Sequence, residues 1–137
     1  MGNDFFVVAR MMETGDKLNQ LAGEKYISLE SYKRAGDGVR TPVWFAVGDG
    51  VIYIYSLANA GKVKRIRNNP RVSIAPCTIG GRITGQWIEA EARIVEGDED
   101  ALGHELLRKK YGWSKRLGDF FSRLRKRERA VIAIRVK

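Results

Sequence analysis

The chain has 137 residues, 44% of them hydrophobic, and a formal net charge of +9. This length fits one domain, and this apolar content excludes a disordered chain. No apolar run approaches the roughly 20 residues that span a bilayer. The N-terminus lacks a signal-peptide pattern, so we expect a cytoplasmic protein without a transmembrane segment.

One cysteine, Cys77, and one histidine, His104, are present. They exclude an internal disulfide framework and a zinc site built from protein ligands alone, so we expect no bound metal. The positive charge instead predicts an anionic partner, which can be nucleic acid, a membrane surface or a phosphorylated small molecule.

The N-terminal half predicts short strands separated by turns. Residues 1–23 predict an arm that ends in a short helix near residues 14–23, and residues 24–137 predict a single domain. The first three strands are expected at KYISLESYKR (25–34), VRTPVWFAV (39–47) and VIYIYS (51–56), with tight turns at 35–38 and 48–50. Pro42 has no backbone donor, which indicates an edge strand, a bulge or the close approach of another group.

The C-terminal half predicts helices between the remaining strands. A helix is expected from Gly61, because Val63 and Ile66 are spaced as on one helical face, and Pro70 ends it. The later elements are strands at RVSIAPC (71–77), RITGQWIEAEARIV (82–95) and AVIAIRV (130–136), and helices at DEDALGHELLRKKYG (98–112) and WSKRLGDFFSRLRKRE (113–128). Six antiparallel strands with flanking helices predict a small, mainly β barrel.

Positive charge is concentrated directly after the third strand, in GKVKRIRNNP. If Gly61 begins the helix, its free backbone N–H groups and dipole favour a phosphate, and the small Ala60 leaves room for one. Lys62 lies at the mouth of this site, Ser56 can donate a hydroxyl hydrogen bond, and Arg65 lies one turn further on. The alternative is a solvated helix face that only balances charge, and spacing alone leaves both interpretations open.

The segments TPVWFAV and VIYIYSLANAGKVKRIRNNPRVSIAPC resemble the pyridoxamine-5′-phosphate-oxidase-like superfamily of flavin and deazaflavin proteins. KVKRIRNNPRV and the later RKKYGWSKRLGDFFSRLRKR resemble one branch in particular, the F420-dependent oxidoreductases. The resemblance covers roughly residues 24 to 136 and implies a six-stranded antiparallel split β-barrel of the FMN-binding type. It also implies a homodimer with two equivalent cofactor sites at the interface, and a small-molecule substrate.

The same resemblance implies which residues bind the cofactor. The segment that lines the flavin-like ring and the ribityl chain consists of Arg40, Thr41, Pro42, Val43, Trp44 and Phe45. Tyr55 and Ser56 flank the chain, and Lys62 holds the phosphate.

Two departures from the family's pattern concern the phosphate site. Related sequences often have Ser where Ala60 stands, and a large or basic residue where Gly61 stands. These departures remove a hydroxyl group and, where the family residue is basic, a cation, so either the affinity for the phosphate is weaker or its anchoring shifts to Arg65.

The chemistry is expected from the cofactor, because the chain has no nucleophile elbow, paired carboxylates or metal cluster. His104 is expected at the surface and Cys77 in the core, rather than in catalysis. Trp87 is expected to be structural, whereas Trp44 is either structural or a border of the ring pocket.

A second basic region covers residues 108–129, which hold ten Lys and Arg against two acidic residues. Four apolar residues at helical spacing predict an amphipathic helix packed on the barrel: Leu117, Phe120, Phe121 and Leu124. The cations can face water, screen the acidic polyglutamylated tail of F420, steer an anionic substrate, or bind nucleic acid or a membrane.

These patterns favour an oxidoreductase in which reduced F420 passes a hydride to a small organic acceptor. The same scaffold with FMN is the alternative within redox chemistry. A cofactor carrier without turnover and a basic barrel that binds nucleic acid are the hypotheses from other classes. Nucleic acid is the less favoured partner, because no nucleic-acid-binding motif is present.

Overall fold

A computed structural model describes residues 15–111 and 129–137, and in this part of the chain seven strands form one antiparallel sheet. The strands are β1 (Tyr26–Tyr32), β2 (Gly38–Val43), β3 (Phe45–Gly48), β4 (Val51–Leu57), β5 (Arg71–Cys77), β6 (Ile88–Val95) and β7 (Arg129–Val136). The helices are α1 (Gly61–Asn68) and α2 (Gly97–Tyr111), and residues 15–19 are also helical. The expected mainly β, antiparallel fold with flanking helices is confirmed.

The sheet closes on itself at Trp44. Its strand order is β2-β1-β5-β6-β7-β4-β3, so β2 and β3 are the two edges. In the chain these edge strands are separated by Trp44 alone. The sheet therefore curls until its edges meet at this residue, as in a barrel. Pro42 lies in the edge strand β2, where a missing backbone donor is tolerated.

The prediction of one strand over residues 39–47 is wrong. Val43 pairs with Ile27 of β1, whereas Phe45 pairs with Ile54 of β4. Three other strands lie between β1 and β4 in the sheet, so one straight strand cannot pair with both. The chain changes partner at the bend, and the described sheet has seven strands instead of six.

The predicted strand over residues 82–95 is too long, since β6 begins at Ile88. Residues 78–87 instead form a loop that returns to the end of β5. Its one isolated bridge joins Ile83 to Cys77. Within the described residues the N-terminal helix covers residues 15–19, so it ends earlier than the predicted residue 23.

The tight turn at residues 48–50 and the end of the helix before Pro70 lie where the sequence predicts them. The turn between β3 and β4 has positive φ at Asp49 (52°) and Gly50 (77°), as a type I′ hairpin turn requires. Helix α1 ends at Asn68, ahead of Pro70. The first 14 residues of the predicted arm and the predicted helix over residues 113–128 lie outside the described residues.

Apolar side chains pack on both faces of the sheet. The inner face carries fully buried isoleucines and a leucine, namely Ile27, Leu29, Ile52, Ile54, Ile74, Ile132 and Ile134. Val63 and Ile66 of α1 join this cluster, so α1 packs with the face that its spacing predicted. On the outer face Tyr53, Tyr55 and Val131 pack with Leu107 of α2. No helix in the described ranges is long and apolar enough to cross a membrane.

Helix α2 approaches the sheet closely at Gly103. A Cβ atom at this position would lie 2.8 Å from Cγ1 of Val131 and 3.0 Å from Cδ1 of Tyr53. Both distances are shorter than an ordinary carbon–carbon contact. The missing side chain therefore allows the helix to lie this close to the sheet.

We expect Gly103→Ala to lower the free energy of unfolding by roughly 1–3 kcal/mol, because the added methyl group overpacks this contact. In a helix with free space the same change stabilises by about 1 kcal/mol, so the two effects have opposite signs. Urea denaturation of wild type and variant measures the difference. Ala101→Gly, at an exposed position of α2, is the control for helix propensity alone. A Gly103→Ala protein more stable than the wild type would contradict the packing argument.

Candidate functional site

A cavity of about 320 Å³ lies beside the bend at Trp44. Its lining comes from β1, β2, the bend, β4, α1, α2 and the loop after β5: Tyr26, Pro42, Val43, Trp44, Tyr55, Lys62, Ile79 and Leu107. Five of these eight residues were singled out from the sequence. The other three, Tyr26, Ile79 and Leu107, lie outside the segments that carry the family resemblance.

The Trp44 wall of the cavity is held by aromatic contacts. The centroid of its ring lies 6.5 Å from that of Tyr26 and 5.8 Å from that of Tyr111, the last residue of α2. Such tilted arrangements are favourable for aromatic pairs. Trp44 thus belongs both to the packing at the bend and to the cavity wall, which joins the two roles that the sequence left open.

The hydroxyl group of Tyr111 bonds to the backbone at the bend. It accepts a hydrogen bond from the N–H of Phe45 at 2.8 Å. Its own hydrogen can be donated to the carbonyl of Lys25 at 2.7 Å or to that of Phe45 at 2.9 Å. Burial raises the pKa of Tyr111, and the bond with the Phe45 backbone acts in the opposite direction. The phenol therefore stays protonated and remains a donor at neutral pH.

Tyr55 meets the single histidine at the outer wall. The ring of His104 packs edge-on against that of Tyr55, with 5.0 Å between centroids. Nη1 of Arg129 lies 3.3 Å from Nδ1 of His104. His104 is half-buried in this contact and does not line the cavity.

Two cations lie near the start of α1. Lys62 lines the cavity, and burial, followed by the charge of Arg65, lowers the pKa of Lys62. Arg65 donates from Nε to Oγ of Ser31 at 2.7 Å. A Cβ atom at Gly61 would lie 2.7 Å from Nη1 of Arg65, so this guanidinium lies directly against the glycine. Ala60, the N-cap residue, makes no side-chain capping bond.

Seven of the site residues expected from the sequence and from the resemblance do not line the cavity: Arg40, Thr41, Phe45, Ser56, Ala60, Gly61 and Arg65. Arg40 instead bonds to Oε2 of Glu30 at 2.5 Å and lies over the ring of Trp87, 4.6 Å from its centroid. Thr41 is half-buried in β2, and Phe45 is buried in the inner cluster.

Ser56 was expected to donate to a phosphate. In the structure it is 3% exposed, and its hydroxyl group donates to the carbonyl of Leu57 at 3.2 Å. Cys77 is buried, as expected, and burial raises the pKa of its thiol. Trp87 lies outside the lining, with the guanidinium of Arg40 over its ring.

Solved structures share this architecture. A candidate pyridoxamine 5′-phosphate oxidase from Listeria innocua is 16% identical, with a TM-score of 0.63 over 90% of this chain and 93% of that one. HutZ, a haem storage protein from Vibrio cholerae, is 15% identical, with a TM-score of 0.63 over 89% of each chain. An F420 reductase is 16% identical, with a TM-score of 0.54 over 83% of this chain and 87% of that one. No protein-family model and no curated protein sequence matches the chain significantly.

The chain has the pyridoxamine-5′-phosphate-oxidase-like split-barrel fold. The fold that the motifs implied is thus confirmed. Proteins with this split barrel carry names that refer to a pyridoxamine 5′-phosphate oxidase, an F420 reductase and haem storage, so the fold alone does not identify the ligand. The ligand has to be inferred from the residues that line the cavity.

In this split barrel, Tyr111→Phe keeps the ring that packs on Trp44 and removes the hydroxyl group. We expect a loss of roughly 1–3 kcal/mol in the free energy of unfolding, because the N–H of Phe45 is left without its partner. Chemical denaturation measures the loss. Tyr32→Phe is the matched control, since that hydroxyl bonds only with the side chain of Ser73 in the contacts described, at 2.9 Å. Equal losses for the two variants would show that the bond at the bend has no special importance.

Proposed function

We propose that the chain is a flavin- or deazaflavin-dependent oxidoreductase with F420 as its cofactor and FMN as the alternative. The observation that carries the proposal is the cavity at the bend, where aromatic walls meet a half-buried lysine. A tricyclic ring with a phosphorylated side chain has the matching parts, an apolar plane and an anion. When bound, such a ring supplies hydride transfer to a small organic acceptor.

The described residues fit such a group. The cavity volume of about 320 Å³ falls within the range of roughly 300–1,000 Å³ typical of small-molecule sites. Trp44 and Tyr26 contribute aromatic rings, and Ile79 and Leu107 contribute apolar surface. Lys62 has a lowered pKa because its charge is poorly solvated, so a bound anion would stabilise its protonated form.

The chain's own residues act by binding and orientation. Lys62 holds the phosphate through its ammonium group, and Trp44, fixed by Tyr111, forms the wall on which the ring packs. Leu107, which is buried, excludes water from that wall. None of the eight lining residues is His, Asp, Glu or Cys. This composition supports a reaction whose chemistry belongs to the cofactor.

We further propose that the active form is a cytoplasmic homodimer, with residues 24–137 as the cofactor-binding domain. Ile79 lines the cavity and is nevertheless 58% exposed, and Trp87 is 36% exposed. A second protomer placed over this side would bury both apolar side chains and complete the cavity wall. Acceptor specificity would then depend on residues from two chains.

Haem, the ligand in the name of HutZ, fits the described lining less well. An axial ligand is needed for haem iron, usually His, Cys, Met or Tyr, and of these types the eight described lining residues include Tyr26 and Tyr55 alone. His104 packs against Tyr55 from outside the lining.

A cofactor carrier without turnover has the same binding site as an enzyme, so binding and turnover need separate measurements.

Titration of the purified protein with F420, FMN and haem, followed by fluorescence and absorbance, tests the proposal. We expect F420 or FMN to bind at micromolar concentration or below. Lys62→Ala should weaken this binding roughly 10- to 100-fold, because one charge-assisted contact to phosphate is lost. Lys64→Ala, which changes an exposed lysine of the same helix, is the matched control and should leave the affinity within a factor of two.

The outcomes separate the alternatives. Binding of neither F420 nor FMN would end the redox proposal, and binding of haem alone would replace it. Unchanged affinity in Lys62→Ala would remove the phosphate role of that lysine while leaving the ring site. Oxidation of the reduced cofactor by a panel of small acceptors then distinguishes an enzyme from a carrier.

The affinity for a phosphorylated cofactor should fall as pH rises through the pKa of Lys62. Only the protonated lysine pairs with phosphate, and its pKa in the free protein is lowered from 10.5 by burial and by Arg65. The affinity is therefore complete below that pKa and is lost above it, at a pH lower than an exposed lysine would give. Dissociation constants of FMN between pH 7 and pH 10, compared with those of Lys62→Ala, measure the effect. A profile identical in both proteins would contradict it.

A further inference from the structure

Arg65 is held by a neutral hydrogen-bond partner and not by an ion pair. Four other arginines of the described residues each pair with a glutamate, namely Arg40, Arg71, Arg93 and Arg108. Arg65 is half-buried and forms no ion pair within residues 15–111 and 129–137. Its hydrogen-bond partner is the neutral hydroxyl group of Ser31. The guanidinium is thus held by a neutral partner, and no carboxylate of the described residues forms an ion pair with it.

Ser31 is well placed to orient this guanidinium. It lies in β1, is 0% exposed, and receives the Nε–H of Arg65 at an N–O distance of 2.7 Å. With Nε engaged, the N–H groups on Nη1 and Nη2 are the part of the fork left for another acceptor. A buried, strand-borne hydroxyl group restricts the rotamers of the long side chain, so less entropy is lost when an anion binds.

Gly61 provides the space that the guanidinium occupies. Nη1 of Arg65 lies 2.7 Å from the position of a Cβ atom at Gly61, so any side chain there would displace it. Lys62 is the next residue and lines the cavity. The charge of Arg65 also contributes to lowering the pKa of Lys62, which is the effect of two cations that lie close together.

We propose that Arg65, positioned by Ser31 and accommodated by Gly61, is the second phosphate-binding group of the site, beside Lys62. The inference rests on the proposed function for the identity of the ligand, a cofactor phosphate, and assigns Ser31 as a positioning residue. Two adjacent cations without a carboxylate partner suit a phosphate group, whose several oxygens can each accept charge-assisted hydrogen bonds.

Two flavins that differ only in the phosphate test this assignment. Arg65→Gln should weaken FMN binding roughly 10- to 100-fold, and Ser31→Ala roughly 3- to 10-fold, because the guanidinium stays but loses its orientation. Riboflavin, which has no phosphate, should bind all proteins within a factor of two. Arg65→Lys should not restore FMN affinity, since it lacks the Nε–H that bonds to Ser31.

Matched controls come from neighbouring positions. Ser73→Ala removes a serine hydroxyl group from the adjacent strand β5, where it bonds to Tyr32. Arg67→Gln removes an exposed arginine from α1. Both should leave the ratio of FMN to riboflavin affinity unchanged. An equal change in both affinities for Ser31→Ala would reduce Ser31 to a structural residue.

Inorganic phosphate gives a second readout that does not need a ring. Phosphate, compared with chloride at equal ionic strength, should raise the thermal midpoint of the wild type by roughly 3 °C or more and that of Arg65→Gln by much less. If phosphate acts through Arg65 but no flavin or deazaflavin binds, the anion site stands and the proposed function fails. If FMN binds the wild type and Arg65→Gln equally, the proposed function stands and this inference is overturned. If phosphate leaves the thermal midpoint of the wild type unchanged, for example because a carboxylate of the chain occupies the site, the phosphate-binding role of Arg65 is also overturned.

Discussion

The hydroxyl group of Tyr111 holds the point at which the two edges of the sheet meet. The N–H of Phe45 donates to this hydroxyl, whose own hydrogen can be donated to the carbonyl of Phe45 or to that of Lys25, which directly precedes β1. A bend in an edge strand leaves backbone groups without a neighbouring strand, and such groups are costly when buried. The end of α2 supplies their partner. Because burial keeps the phenol protonated, it can donate and accept at the same time.

The candidate site follows from this closure. The bend that Tyr111 secures carries Trp44 into the cavity wall, between the elements that contribute Tyr26 and Leu107. Helix α1 packs its apolar face with the inner cluster, and this seating brings Lys62 to the cavity. The closure of the sheet at the bend and the packing of α1 on the inner cluster thus place an aromatic wall and a poorly solvated cation in the same cavity. The proposed reaction needs only this aromatic wall, this cation and a cofactor that carries its own reactivity.

Local patterns predicted the elements whose cause is local. The Asp49-Gly50 turn has the positive φ angles that its residues favour, and the spacing of Val63 and Ile66 gives the buried face of α1. The patterns failed where pairing with strands distant in the sequence sets the bounds of an element. Residues 39–47 have strand propensity throughout, and only their pairing with β1 on one side and β4 on the other divides them at Trp44. Residues 82–87 likewise have no neighbouring strand along most of their length, so they form a loop.

For the candidate site, the sequence by itself indicated Lys62, because strand, small-residue turn and lysine follow one another in a short segment. The resemblance of its motifs to a known family implied four more members of the lining, Pro42, Val43, Trp44 and Tyr55. Tertiary structure decided the rest. It added Tyr26, Ile79 and Leu107, which lie far apart in the sequence, to the lining. It also buried Ser56, paired Arg40 with Glu30, and set Arg65 against Ser31, 34 residues earlier. The physical reason is that a side chain's partners depend on which strands are neighbours and in what register. That pairing is settled by the closure of the whole sheet and not by any local run of residues.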